Sequence, residues 1–216
     1  IDVLRRPDFS LDVEAIERGF ASGELRAAKI LVLCSPNNPD GGQASAEEIA
    51  RLLRLPVIVI LDEAYVDFGG GSMVQRVADQ PNLIVLRTFS KWLGLAGLRI
   101  GYGVLPAPFA QQLWKIKPPF NVNAAAQIAA LASLSHLEYF QDCQRRILAE
   151  RERMLDAFEG ISYLEAYPTV TNFVLLRVVG RPASQVKESL ERQGILVRHF
   201  REPELADHIR ISVGLP

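Results

Sequence analysis

Val57-Ile-Val-Ile-Leu61 is an unbroken apolar run, mostly β-branched, entered from Pro56 and left through Asp62. It is too short for a helix and does not alternate, which predicts a strand buried on both faces. Two similar runs lie on either side of it, Lys29 to Cys34 and Leu83 to Arg87. Lys29 to Cys34 likewise reads as a buried strand. Between the first two, Ser45 and Glu48 stand at capping-box spacing ahead of an apolar stripe of Ile49, Leu52 and Leu53. A second helical passage is expected around Met73 to Ala78, after the flexible Gly69-Gly-Gly71. Strand, helix, strand, helix, strand is the grammar of a mostly parallel sheet with helical crossovers, an α/β fold. Ligands of open α/β sheets gather at the carboxyl ends of the strands. Three polar stretches sit there: Ser35-Pro-Asn-Asn-Pro-Asp-Gly-Gly42, Asp62-Glu-Ala-Tyr65, and Thr88-Phe-Ser-Lys-Trp-Leu-Gly-Leu-Ala-Gly-Leu-Arg99.

The rest of the chain fits around this core. Ser10 is expected to cap a first helix carrying Leu11, Ala15 and Ile16. The short connection from the lysine stretch predicts that Ile100 to Leu105 returns as an antiparallel strand. A helix follows from Pro106 through Trp114, then a loop over Lys117 to Asn121. Asn123 to Phe158 reads as one long helix, or two with a break near Ser135, bridging two domains. Beyond Gly160 the pattern changes to a small α+β layer. Its strands are expected over Tyr163–Tyr167, Asn172–Val178, Ile195–Val197 and Ile209–Val213, and its helix over Ala183–Gln193, closed by Gly194. The expected organisation is a large domain over 1–135, a connecting helix over 136–158 and a small domain over 159–216.

Composition narrows the function classes. At 216 residues, with 49% hydrophobic residues and a net charge of −1, a sizeable core is affordable and no nucleic-acid footprint is present. The longest apolar run is far short of a membrane span, and no signal peptide is seen. Two cysteines, Cys34 and Cys143, make no disulfide framework, so a reduced, cytoplasmic setting is expected. His136, His199 and His208 lack metal-ligand spacing and read as surface or structural residues. Cys34 reads as a small core residue, and Gln144 to Arg153 as a solvated helix face. The chain opens on Ile1 in mid-passage and is expected to be a fragment.

The three stretches carry chemistry as a set. A lysine at a strand end suits Schiff-base formation, and Ser90 and Arg99 beside Lys91 suit a phosphate. Gly94 and Gly97 would give the tight turn between them. Taken singly, Lys91 reads as a surface lysine, Asn38 as a turn residue and Asp62 as a helix cap, with Tyr65 evenly balanced between structure and function. In this order and between these strands, however, Asn38, Asp62, Tyr65, Ser90, Lys91 and Arg99 resemble the fold-type-I pyridoxal-phosphate enzymes. The wording Ser-Pro-Asn-Asn-Pro-x-Gly, Asp-Glu-Ala-Tyr-Val-Asp-Phe and Arg-Thr-Phe-Ser-Lys-x-x-Gly-Leu-Ala-Gly-Leu-Arg-Ile-Gly-Tyr is closest to the histidinol-phosphate aminotransferases, and the likeness runs through the whole chain.

The resemblance implies roles. Lys91 would hold pyridoxal 5'-phosphate as a Schiff base and shuttle the substrate proton. Asp62 would pair with the ring nitrogen, keeping the ring an electron sink. Tyr65 and Asn38 would bond the phenolic oxygen, and Ser90 and Arg99 the phosphate. Arg198 and Arg210 would bind the acidic end of the substrates, histidinol phosphate and glutamate/2-oxoglutarate. The family also implies a homodimer. Near relatives in chemistry are aromatic amino-acid aminotransferases and the threonine-phosphate decarboxylases, which more often carry Phe where Tyr65 stands. An alternative of another class is an inactive fragment serving only folding or dimerisation. Three departures stand out: Asp40 where the family more often has Thr, Trp92 where a small residue is usual, and the absence of the family's amino-terminal third.

Overall fold

A computed structural model describes residues 1–215. The first sheet has the order β1-β2-β3-β4, with β1 at Ile30–Cys34, β2 at Ile58–Asp62, β3 at Leu83–Thr88 and β4 at Gly101–Val104. β1, β2 and β3 are mutually parallel, and β4 returns antiparallel to β3, as its short connection predicts. Helix α1 (Val13–Ala21) and helix α2 (Ala46–Leu52) cover one face. Ile16, Ile49 and Leu52 pack there against Leu33, Val59, Leu61, Leu83 and Val85. The Ser45–Glu48 capping box is present in both directions.

Several local expectations need correction. Asp12, not Ser10, caps α1, accepting from the Ala15 amide at 2.9 Å. Asp8 has already taken both the Ser10 amide and its hydroxyl in a side-chain turn. β1 and β2 are not buried on both faces. Val59 and Leu61 are fully buried, but Ile58 and Ile60 are only half-buried, and Ile30 and Val32 on the edge strand are 52% and 67% exposed. The helices cover only the alternate set of side chains, so strict alternation appears in burial where none exists in the sequence. The short helical passage expected in the second crossover is present, as a 3-10 helix at Val74–Ala78.

Helix α3 spans Ala107–Ile116, helix α4 Ala124–Leu134 and helix α5 Leu137–Glu159. The break at Ser135 and His136 separates α4 from α5. The second sheet has the order β5-β6-β8-β7, all antiparallel. Its strands are β5 (Leu164–Ala166), β6 (Phe173–Val178), β7 (Arg198–His199) and β8 (His208–Ser212). Helix α6 (Ala183–Arg192) and the end of α5 pack on one face, where Val174, Leu176 and Ile209 meet Leu155, Phe158 and Val186. The strand expected at 195–197 is displaced to 198–199. Ile195 still donates to the Leu190 carbonyl, and Gly194 takes φ +82, so these residues finish α6 before the ladder begins.

Candidate active site

Parallel pairing puts the ends of β1, β2 and β3 on one edge, with Cys34 beside Asp62 and Asp62 beside Leu86. The loop after β1 is held by its own polar residues. Asp40, 3% exposed, accepts from the Gly42 amide at 2.7 Å and from the Asn37 side chain. The acid thus caps the turn. Gly41 takes φ +80, and a Cβ there would lie 2.0 Å from Thr169 Oγ1. Val170 in turn donates to the Gly41 carbonyl at 3.0 Å. This close approach docks the loop onto the chain leading into β6.

A continuous line of side chains crosses from the first sheet to the second. Lys91 Nζ lies 5.1 Å from the centre of the Tyr65 ring. The Tyr65 ring meets Phe173 edge-on at 5.1 Å and 89°. The Arg210 guanidinium sits 4.8 Å over the other partner ring, Phe173, and donates to Asn38 Oδ1. Cations within about 6 Å of a ring face and edge-on aromatic pairs are both favourable arrangements. Four of the eight residues picked from sequence are thereby brought together: Asn38, Tyr65, Lys91 and Arg210. Arg210 Nε is buried with no hydrogen-bond partner, which leaves a donor available beside the line.

Asp62 ends β2, half-buried, with Oδ1 accepting from the Ala64 amide at 2.9 Å. Ser90 lies in the turn after β3, its amide donating to Thr88 Oγ1 at 3.0 Å. Arg99 closes the same loop in the left-handed region, φ +51, and donates to the Ala96 carbonyl at 2.9 Å. Of the two loop glycines, Gly94 needs its freedom at φ +67. Gly97 lies in the 3-10 turn Ala96–Leu98 without positive φ, and the second left-handed position falls to Arg99 instead. Arg198 stands opposite Arg210 in the β7–β8 ladder, but it is exposed, stacked 5.6 Å from Phe200. No described hydrogen bond ties it to the Lys91–Arg210 line.

Other residues around the site take roles that their sequence context does not state. Phe173, 2% exposed, is the aromatic link, yet in sequence it is one apolar residue of an apolar strand. Glu63 is fully buried and bonded to Arg87, Ser72 and the Met73 amide. Arg87 also reaches Asp67, whose carboxyl is pushed up by burial and only partly restored by the guanidinium. Trp92 donates from its indole to the Phe140 carbonyl at 3.1 Å, tying the lysine loop to α5. The run 144–153 is not simply solvated: Gln144 donates to the Asp67 carbonyl, Arg151 to those of Phe68 and Thr171, and Glu150 is 8% exposed. Cys34 is half-buried at the sheet edge, not in the core, and burial and then the Asp62 carboxylate push its thiol up.

His208 supplies a pH handle behind the site. It is 7% exposed, its Nε2 lies 3.2 Å from the Tyr167 hydroxyl, and Phe9 packs edge-on against both rings. Burial, then nearby Arg177, depress its pKa below the ordinary 6.5. The unfolded chain therefore binds this proton more readily than the folded one. The stability is complete above about 6.5 and declines as pH falls from there through the folded pKa. Urea midpoints should drop between pH 7.5 and 5.5, and His208→Asn should flatten part of that slope.

Among the described residues no helix is long and apolar enough to cross a membrane. The whole chain, residues 1–216, matches the family described as aminotransferase class I and II. It is 44% identical over 218 residues to histidinol-phosphate aminotransferase 1, chloroplastic, of Arabidopsis thaliana, covering 100% of this chain and 52% of that protein. To the histidinol-phosphate aminotransferase of Roseiflexus castenholzii it is 44% identical over 219 residues, with 100% and 58% covered. Among solved structures, the histidinol-phosphate aminotransferase of Sinorhizobium meliloti in complex with pyridoxal-5'-phosphate superposes with a TM-score of 0.85 at 32% identity, over 100% of this chain and 60% of that one. The chain thus spans somewhat over half the length of the relatives it matches.

Proposed function

The chain belongs to the aminotransferase class I and II family, and from that premise we propose that it acts as a pyridoxal 5'-phosphate-dependent aminotransferase on histidinol phosphate and 2-oxoglutarate. The observation that carries this reading is the line Lys91–Tyr65–Phe173–Arg210–Asn38, which sets an amine at one end and a guanidinium at the other. The curated relatives named above support the choice of substrate.

The donor set suits such a cofactor. A carboxylate and a phenol follow β2 in the chain, a hydroxyl, an amine and a guanidinium follow the adjacent β3, and Arg210 Nε is buried without a partner. When bound, pyridoxal phosphate supplies an aldehyde and a ring that withdraws electrons from the substrate Cα. Lys91 Nζ would hold the aldehyde carbon and, once the substrate amine has taken its place there, would be free as the base that moves the proton between Cα and C4′. Asp62 would hold a proton on the ring nitrogen. Asn38, its Oδ1 accepting from Arg210, keeps its amide N–H as the donor that, with the Tyr65 hydroxyl, would bond the ring oxygen. Ser90 and Arg99 would hold the phosphate. Arg210 orients the substrate acid from above Phe173, and Arg198, opposite it in the ladder, extends the positive field to a second anionic group. We place the enzyme in the cytoplasm as a homodimer. Apolar side chains such as Trp114, Ile116, Ile128 and Leu131, each at least 67% exposed, support a partner surface.

The test is a coupled assay of glutamate formation with added pyridoxal phosphate and 2-oxoglutarate. Histidinol phosphate should outperform phenylalanine as donor, and threonine phosphate should yield neither glutamate nor carbon dioxide. Carbon dioxide release from threonine phosphate, or no glutamate from any donor, rejects the proposal.

A further inference from the structure

The last backbone bond of the β2–β3 ladder is the Glu63 amide to the Leu86 carbonyl, 2.9 Å. Past that point the two chains part, one toward Tyr65 and the 3-10 turn Val66–Phe68, the other toward Lys91. What joins them there is a side chain. Arg87 Nε bonds Glu63 at 2.8 Å, Nη1 bonds Asp67 at 3.1 Å and Nη2 bonds Ser72 at 2.8 Å. Glu63 is fully buried, and the Arg87 side chain is 13% exposed. Every one of these partners lies on the chain leaving β2, and Arg87 is the penultimate residue of β3.

We propose that Arg87 and Glu63 are a positioning pair: they extend the β2–β3 pairing beyond its ladder and so set the distance between Lys91 and the Asp62–Tyr65 turn. The inference rests on the proposed function for its consequence, not for its geometry. Glu63 directly follows Asp62, two residues ahead of Tyr65, and Arg87 precedes Lys91 by four. A slip of one exit relative to the other moves the amine off the Tyr65 ring, the contact now at 5.1 Å. Misplacement by about 1 Å at a reacting group costs on the order of 10²-fold in rate. A buried ion pair is a poor source of net stability compared with apolar residues of the same volume. Its value here is direction: a planar fork that reaches three acceptors at once, which an ammonium does not match.

Arg87→Lys separates these terms, because it keeps a buried positive charge for Glu63 but loses the bonds to Asp67 and Ser72. Amide hydrogen exchange on the chain without cofactor should quicken at residues 64–68 and 88–95 by at least about tenfold, with β6 and β8 unchanged. Pyridoxal phosphate affinity should weaken by at least about tenfold, and the pH midpoint of the bound cofactor's absorbance should move. Unaltered local exchange, exchange that rises equally in β6 and β8, or local loosening with affinity and pH midpoint intact, overturns the proposal. If Arg87→Lys does not fold, the charge-free pair Glu63→Leu with Arg87→Met takes its place, judged by the same readouts. Failure of both to fold assigns the pair to the fold alone and also overturns it. Should the unaltered chain take up no pyridoxal phosphate, that result counts against the proposed function, while the exchange comparison still decides the pair.

Discussion

Lys91→Ala is expected to abolish the pyridoxyl adduct that borohydride traps on the unaltered chain, and to lower transamination by at least about 10³-fold, within the range general acid–base groups contribute. The side chain is exposed, and its described contact is with the Tyr65 ring. Removing it therefore leaves no buried group unpaired, and the thermal midpoint should stay close to that of the parent. Peptide mapping after reduction reads the first effect and the coupled assay the second. Lys91→Arg sharpens the result: the positive charge remains, but a guanidinium does not give up its proton in water, so neither adduct nor turnover should return. An adduct of equal yield in Lys91→Ala would mean that another amine holds the aldehyde.

Phe173→Ala should cost about 3–5 kcal/mol, the usual range for deleting a buried aromatic. The ring is 2% exposed and touches both Tyr65 and Arg210, so the cavity opens at the junction of the two sheets. Phe173→Leu refills most of the volume and should recover much of the stability, read as a urea midpoint near the parent's. It restores neither the edge-on contact nor the ring under Arg210. KM for the acidic substrate should therefore remain raised in Phe173→Leu while kcat moves less, because Arg210 contributes binding more than proton transfer. Equal recovery of stability and KM would reduce Phe173 to a space-filler.

Much of the first sheet was legible because its strands are short β-branched runs closed by Pro, Gly and Asn, and because Ser45 and Glu48 announce α2 by spacing alone. The order of Asn38, Asp62, Tyr65 and Lys91 along the chain likewise follows the strand ends. Competition between neighbours was harder to see: Ser10 lost its capping position because Asp8 reached it first, and Ile195 stayed with α6 because its amide bonds the Leu190 carbonyl past the left-handed Gly194. Long-range partners left no trace at all. Phe173 matters through which loop faces it, and Arg87 through three acceptors on another strand's exit. Nor does an apolar residue such as Val32 state which face of its strand a helix covers.

Helix α5 has a consequence for how the molecule comes apart. Its 23 residues span about 34 Å. Near the start it accepts from Trp92, then it bonds the carbonyls of Asp67, Phe68 and Thr171, and toward its end Leu155 and Phe158 enter the core of the second sheet. Melting either sheet alone would strip this helix of part of its partners and leave Arg151 with one of its two carbonyls. The two layers are thus expected to melt together, as one coincident transition in the signals of both sheets.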